Sequence, residues 1–172
     1  VWNQGEFPFL YVQIAPYHYG SESPSILPIF WEAQNKALEI PHTGQVVIHD
    51  IGDLKDIHPT NKQDVGARLA LIALANTYGQ KGLVHSGPVF KSLKKEGAKL
   101  RVTFDHVGSG LVSRDGKPLN WFEIIGEETD FVPAEAVIEG DSVILSSPKV
   151  KQAAAMRFGW NKLAEPNLSN KE

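Results

Sequence analysis

The run Phe7 to Ala15, Phe-Pro-Phe-Leu-Tyr-Val-Gln-Ile-Ala, is apolar at nearly every position and closes at Pro16. A strand with one wet face alternates apolar and polar residues. A continuous apolar run rich in aromatic and branched side chains belongs instead to a parallel strand covered on both faces. Parallel strands are joined by crossovers, most often helices, so this one feature commits the start of the chain to an α/β arrangement.

The following residues supply such a crossover. Beyond a Tyr, Gly, Ser and Pro loop (Tyr17 to Pro24), the stretch Ile26 to Leu38 places Ile26, Phe30, Ala33 and Ala37 on one helical face. Pro41-His42-Thr43-Gly44 turns the chain, and Gln45 to Asp50 reads as a second short buried strand. Strand, helix and strand in this order form a right-handed βαβ unit. A second helix is announced by the capping-box sequence Thr60-Asn61-Lys62-Gln63. Val65, Leu69, Ile72 and Ala73 line its inner face, Leu71 and Leu74 thicken it, and Gly79 stands where a C-cap glycine ends a helix.

From Val84 the texture changes to short alternating runs: Lys99 to Asp105, Asn120 to Gly126, Ala134 to Glu139, Ser142 to Ser147 and Ala153 to Trp160. These predict an antiparallel β module. The boundary falls within Gln80 to Pro88, giving two domains, 1–83 and 84–172. The basic stretch Lys91 to Lys99 reads as a solvated turn.

Composition narrows the function classes. With 42% apolar and 22% charged residues the chain is expected to fold, and 17 basic against 20 acidic side chains, net −3, argue against nucleic acid or an anionic membrane as partner. Zero cysteines exclude disulfides, thiolate metal sites and a cysteine nucleophile. No run approaches the roughly 18 apolar residues of a membrane span. The six histidines form no ligand pair and the carboxylates lack calcium-loop spacing, so no metal or other cofactor is expected. The chain opens at Val1-Trp2-Asn3-Gln4 rather than at Met and reads as a processed product or an excised fragment.

In open α/β sheets ligands bind beyond the carboxyl ends of the strands, where this sequence puts Asp50, Gly52, Asp53, Asp56 and His58. A histidine followed directly by Pro59 and a capped helix has a fixed backbone position, as a general base requires. The same spacing also suits carboxylates that merely cap and solvate a loop, with His58 decorating a helix start.

The phrase Asp50-Ile51-Gly52-Asp53-Leu54-Lys55-Asp56-Ile57-His58-Pro59-Thr60-Asn61-Lys62-Gln63, running into Val65-Gly66 and Arg68-Leu69-Ala70, resembles the final catalytic block of the sialate O-acetylesterase family of SGNH hydrolases. Gln13 to Tyr17, Glu32-Ala33-Gln34 and Phe104 to Leu111 add to the likeness. The resemblance implies a flavodoxin-like parallel sheet with flanking helices in 1–83, followed by a small antiparallel β domain. It also implies a serine esterase removing acetyl groups from sialic acid or a related sugar, with His58 as the base. Many SGNH enzymes carry the orienting aspartate three positions before the histidine. Position 55 is Lys here, so Asp56 takes that role by resemblance and Asp53 is the alternative.

The family's serine block is not recognisable ahead of Phe7. Gly140-Asp141-Ser142 spells one version of it, but Val143-Ile144-Leu145 continues as a strand, so a hairpin turn is expected there. The nucleophile is therefore expected on an upstream segment or a second chain, which would also cover apolar surface on Phe9 to Ile14. Trp160 is a candidate to stack on a sugar ring. The family likeness points to an extracellular or periplasmic location. A non-catalytic carbohydrate-binding or scaffold module and a plant-polysaccharide acetylesterase are the alternative readings.

Overall fold

The computed structural model describes residues 5–127 and 130–172; Val1-Trp2-Asn3-Gln4 lies outside them. The chain divides into two compact units, one running up to Ser86 and including Asn161–Leu163, the other comprising Gly87–Trp160 and Ala164–Glu172.

In the first unit, β1 (Phe9–Val12) and β2 (Thr43–Val46) pair in parallel, Phe9 opposite Thr43 and Val12 opposite Val46. Helix α1 (Ile26–Lys36) connects them and α2 (Lys62–Ile72) follows, its last turns widening over Ala73–Thr77 before Gly79 at φ +68°. The unit is thus mixed α/β with a two-stranded parallel sheet. The apolar run from Phe7 is not covered on both faces here: Phe7 and Phe9 are each 58% exposed. The second strand is also shorter than expected, because pairing stops at Val46 and Val47 turns outward.

The inner face of α1 differs from the expected one. Leu27, Pro28 and Trp31 are buried while Ile26 and Phe30 face outward. The cause is polar. Trp31 Nε1 donates to the Ile14 carbonyl at 2.7 Å, the Tyr11 hydroxyl donates to the Gln34 carbonyl at 2.6 Å, and the Ile14 amide donates to Gln34 Oε1 at 3.1 Å. These three bonds set the rotation of the helix about its axis, which apolar spacing alone leaves open. Helix α2 presents the expected face, with Ile72 buried and Val65 and Leu69 packed beside Ala15, Val46 and Ile48. Its approach to the sheet requires glycine at position 44, where a β-carbon would lie 2.7 Å from Ile72 Cγ2 and 2.8 Å from Leu10 Cδ2.

The second unit is antiparallel throughout its paired strands. A four-stranded sheet has the order β3 (Val89–Glu96), β4 (Lys99–Asp105), β9 (Ser142–Ser146), β8 (Glu135–Glu139). A three-stranded sheet has the order β10 (Ala153–Phe158), β6 (Phe122–Gly126), β7 (Val132–Pro133), and β5 (Leu111–Ser113) pairs with β11 (Leu168–Asn170). Alternating inward residues, Leu100, Val102 and Phe104 on β4 and Phe122 and Ile124 on β6, join Val143 and Leu145 in one buried cluster. Lys91 to Glu96 is strand, not turn: it pairs with β4, Gly97 turns at φ +66°, and Lys91, Lys94 and Lys95 are all exposed. A charged edge strand of this kind resists pairing with other chains.

Candidate active site

Two short turns, each closed by an aspartate, shape the loop that carries the predicted site. Asp53 Oδ1 accepts the Lys55 amide at 2.8 Å, and Asp56 Oδ1 accepts the His58 amide at 2.9 Å. Both are side-chain mimics of a backbone turn. Gly52 packs close to Ala15 and Pro16, and the His18 amide donates to the Leu54 carbonyl at 3.2 Å, so the loop lies beyond the carboxyl ends of both parallel strands.

Asp56 also faces the imidazole, with its Oδ1 3.3 Å from His58 Nδ1. Asp53 is engaged by the Lys55 amide instead. Accepting the His58 amide, and next the neighbouring imidazole and Lys62, holds the Asp56 carboxyl below the usual carboxylate range. It is therefore an anion at neutral pH. His58 itself is 86% exposed and followed by buried Pro59. With Nδ1 turned to a carboxylate, Nε2 is left to meet a proton donor, the orientation that makes a histidine a base.

The helix after the loop is capped one residue later than the sequence suggests. Asn61, not Thr60, accepts the amide three residues on, that of Asp64, at 3.1 Å, and its own Nδ2 returns a bond to Asp64 Oδ2 at 2.7 Å. Thr60 closes the preceding turn through its carbonyl. Arg68 then ties the helix to the end of β2: its guanidinium grips both Asp50 oxygens at 2.7 and 2.6 Å and the Val47 carbonyl at 2.8 Å. Asp50, one of the three loop carboxylates, is thereby a structural partner of Arg68.

Behind the loop lies a polar chain that sequence reasoning missed. Gln13 donates through Nε2 to Asn35 Oδ1 at 3.1 Å, leaving its Oε1 to accept from His49 Nε2 at 3.0 Å. The His49 ring also stands 4.2 Å from that of Trp31. Burial, opposed by nearby Asp50, pushes the His49 imidazole down to about 4. Its only sequence signal was a histidine at the carboxyl end of a strand.

No family model matches the chain. The mouse (Mus musculus) sialate O-acetylesterase is 32% identical over 111 residues, 58% of this chain and 20% of that protein. A solved structure titled as a novel carbohydrate acetylesterase from Xanthomonas citri is 44% identical and superposes with a TM-score of 0.88, covering 95% of this chain and 38% of that one. The chain is sialate O-acetylesterase-like. It spans a fifth of the curated relative and about two fifths of the solved one. Both relatives carry the names of esterases.

Two other sequence-marked positions of this acetylesterase-like chain lie in the second unit. Gly140-Asp141 is the two-residue turn of the β8–β9 hairpin, with Glu139 opposite Ser142 and Gly140 at φ +59°. Ser142 begins a strand, as expected. Trp160 is half-buried just after β10. No described helix is long and apolar enough to cross a membrane.

Proposed function

We propose that this chain is the histidine-bearing part of a carbohydrate O-acetylesterase that removes acetyl groups from sialic acid or a related sugar. The observation that carries the reading is the Asp56–His58 pair, preorganised by two aspartate turns at the carboxyl ends of parallel strands, in a chain 44% identical to a carbohydrate acetylesterase.

His58 Nε2 takes the proton of a serine hydroxyl as its oxygen attacks the acetyl carbonyl, and returns it to the leaving sugar oxygen. Water then enters by the same route and releases acetate. Asp56 holds the imidazole tautomer and stabilises the imidazolium, with Asp53 as the alternative carboxylate. The serine resides on a segment outside this sequence, upstream or on a second chain. That segment also completes a flavodoxin-like sheet around β1, whose outward Phe9 it covers. Residues 1–83 are then the carboxyl-terminal part of the esterase domain and 84–172, apart from Asn161–Leu163, which belong with the first unit, a separate β domain, in which Trp160 stacks on sugar. The enzyme acts outside the cytoplasm, in keeping with its relatives' glycan chemistry.

In the full-length enzyme His58→Ala is expected to lower kcat on an O-acetylated sialic acid by roughly four to six orders of magnitude. Near-normal turnover by that variant overturns the assignment. Asp56→Asn and Asp53→Asn, compared side by side, identify the orienting carboxylate by the larger loss.

A further inference from the structure

Lys162 is 6% exposed, an unusual place for an ammonium group. Burying a charge without compensation is costly, and an ammonium has three hydrogens to satisfy. Here Lys162 Nζ donates to the carbonyls of Glu22 at 2.6 Å, Gly20 at 3.0 Å and, more weakly, Tyr19 at 3.4 Å. The backbone of the same residue is engaged on both sides, its amide donating to the Pro24 carbonyl at 2.7 Å and its carbonyl accepting the Tyr17 amide at 3.1 Å. One residue distant in sequence thus holds five backbone groups of the Tyr17–Pro24 loop.

The cradle is built by the loop's own turns. The Gly20 amide donates to the His18 carbonyl at 2.9 Å and the Glu22 amide to the Tyr19 carbonyl at 3.0 Å, with Gly20 at φ +48°. These turns bring the three carbonyls to one point, where their dipoles would repel without a cation. The same loop touches the candidate site through the His18 amide and the Leu54 carbonyl. It presents two tyrosine rings, Tyr17 and Tyr19, edge to face with centroids 5.0 Å apart, and an exposed His18. Aromatic rings with polar tips beside a hydrolytic loop suit a sugar, which offers both an apolar face and hydroxyls.

We propose that Lys162 is a positioning residue for sugar recognition: its ammonium fills the Tyr19, Gly20 and Glu22 carbonyl cradle and fixes the Tyr17–Gly20 stretch as a sugar-facing wall beside the Asp53–His58 loop. This rests on the esterase reading above. It assigns a role to a residue more than a hundred positions downstream of His58.

The test uses the full-length enzyme with an O-acetylated sialic acid as substrate. Lys162→Ala is expected to raise KM at least tenfold while kcat falls less than threefold, and methylammonium chloride, but not sodium chloride at equal ionic strength, should restore KM by refilling the cradle. Gly20→Ala provides an independent variant. A β-carbon there meets nothing within 4 Å, so the change strains only the loop backbone, and KM should rise again. Unchanged KM in both folded variants overturns the proposal. A joint fall of kcat and melting temperature, insensitive to methylammonium, also overturns it by showing a purely structural lysine. An inactive parent enzyme would refute the esterase reading alone. Hydrogen exchange at the Gly20 and Glu22 amides still tests the clamp in that case: protection lost in Lys162→Ala supports it, and protection retained refutes it.

Discussion

The two units of this chain solve the burial problem to different extents. The β unit brings Leu100, Val102, Ile124, Val143 and Leu145 to near-zero exposure in a cluster drawn from two of its own sheets. The α/β unit gathers only Ala15, Val46, Ile48 and Ile72 into its cluster, and leaves Phe7, Phe9, Ile29, Ile40 and Val47 about half exposed. The difference follows from strand pairing. Antiparallel hairpins recruit their neighbours from adjacent sequence, whereas a parallel sheet needs one long crossover for each strand added. A β module can therefore close within about 80 residues, while two parallel strands and two helices leave sheet edges and helix faces unpaired. The candidate site belongs to the more open unit.

The contrast can be broken by mutation. Leu145→Ala, at 0% exposure, is expected to cost about 3–5 kcal/mol in the β unit, and Ile72→Ala in the smaller cluster about 2–3 kcal/mol. Denaturant titration with hydrogen exchange followed in each unit checks both, and equal losses would mean that the α/β core is as well enclosed as the other.

A second measurement sharpens the comparison through pH. The folded His49 value, about 4, lies below its ordinary 6.5. Above 6.5 the imidazole is neutral whether the chain is folded or unfolded. Between 6.5 and about 4 only the unfolded chain takes up the proton, so stability falls as the medium is acidified. Below about 4 both states are charged and this decline stops. The total is at most about 3 kcal/mol. His49→Gln should flatten the dependence in that window, and an unchanged slope would show that His49 does not cause it.

Gly44→Ala tests the close approach of α2 to β2, with an expected cost of about 1–3 kcal/mol from displacing Ile72 and Leu10. A neutral effect would show that the helix can move away freely. The smallest effect is reserved for Phe9→Ala. It should alter the stability of this chain by less than about 0.5 kcal/mol, because the ring is 58% exposed. With the proposed neighbouring strand present and covering the ring, the same change should cost about 3 kcal/mol. Equal small effects in both would refute the covered sheet.

Much of the local structure was legible in advance. Lys99 to Asp105 reads as a strand to the residue, and the Gly140-Asp141 turn is recognisable because Val143-Ile144-Leu145 after it continues as a strand. The inner face of α2 and the Gly79 stop were also readable, since both depend on nearby residues. The α1 face was not, because bonds from Trp31 and Gln34 to Ile14 outweigh the apolar stripe. Strand β3 reads as a turn in the sequence because exposed lysines on both of its faces erase the alternation, and only its pairing with β4 identifies it. At the site, the sequence placed Asp53, Asp56 and His58 on one loop but could not say which carboxylate faced the imidazole.

By itself, then, the sequence determined what is encoded by short-range spacing: the order of the α/β and β parts, both helices and several of the strands, the aspartate-bearing loop, the His58-Pro59 junction and the family likeness. The tertiary structure alone decided the partnerships between distant residues. Those are Asp50 with Arg68, Gln13 with His49, and Lys162 with a loop some 140 positions earlier. The reason is physical. Turns and caps form between atoms a few bonds apart and leave a periodic trace. A bidentate ion pair or a buried ammonium is selected by where the folded backbone brings its donors and acceptors, and local spacing carries no record of that.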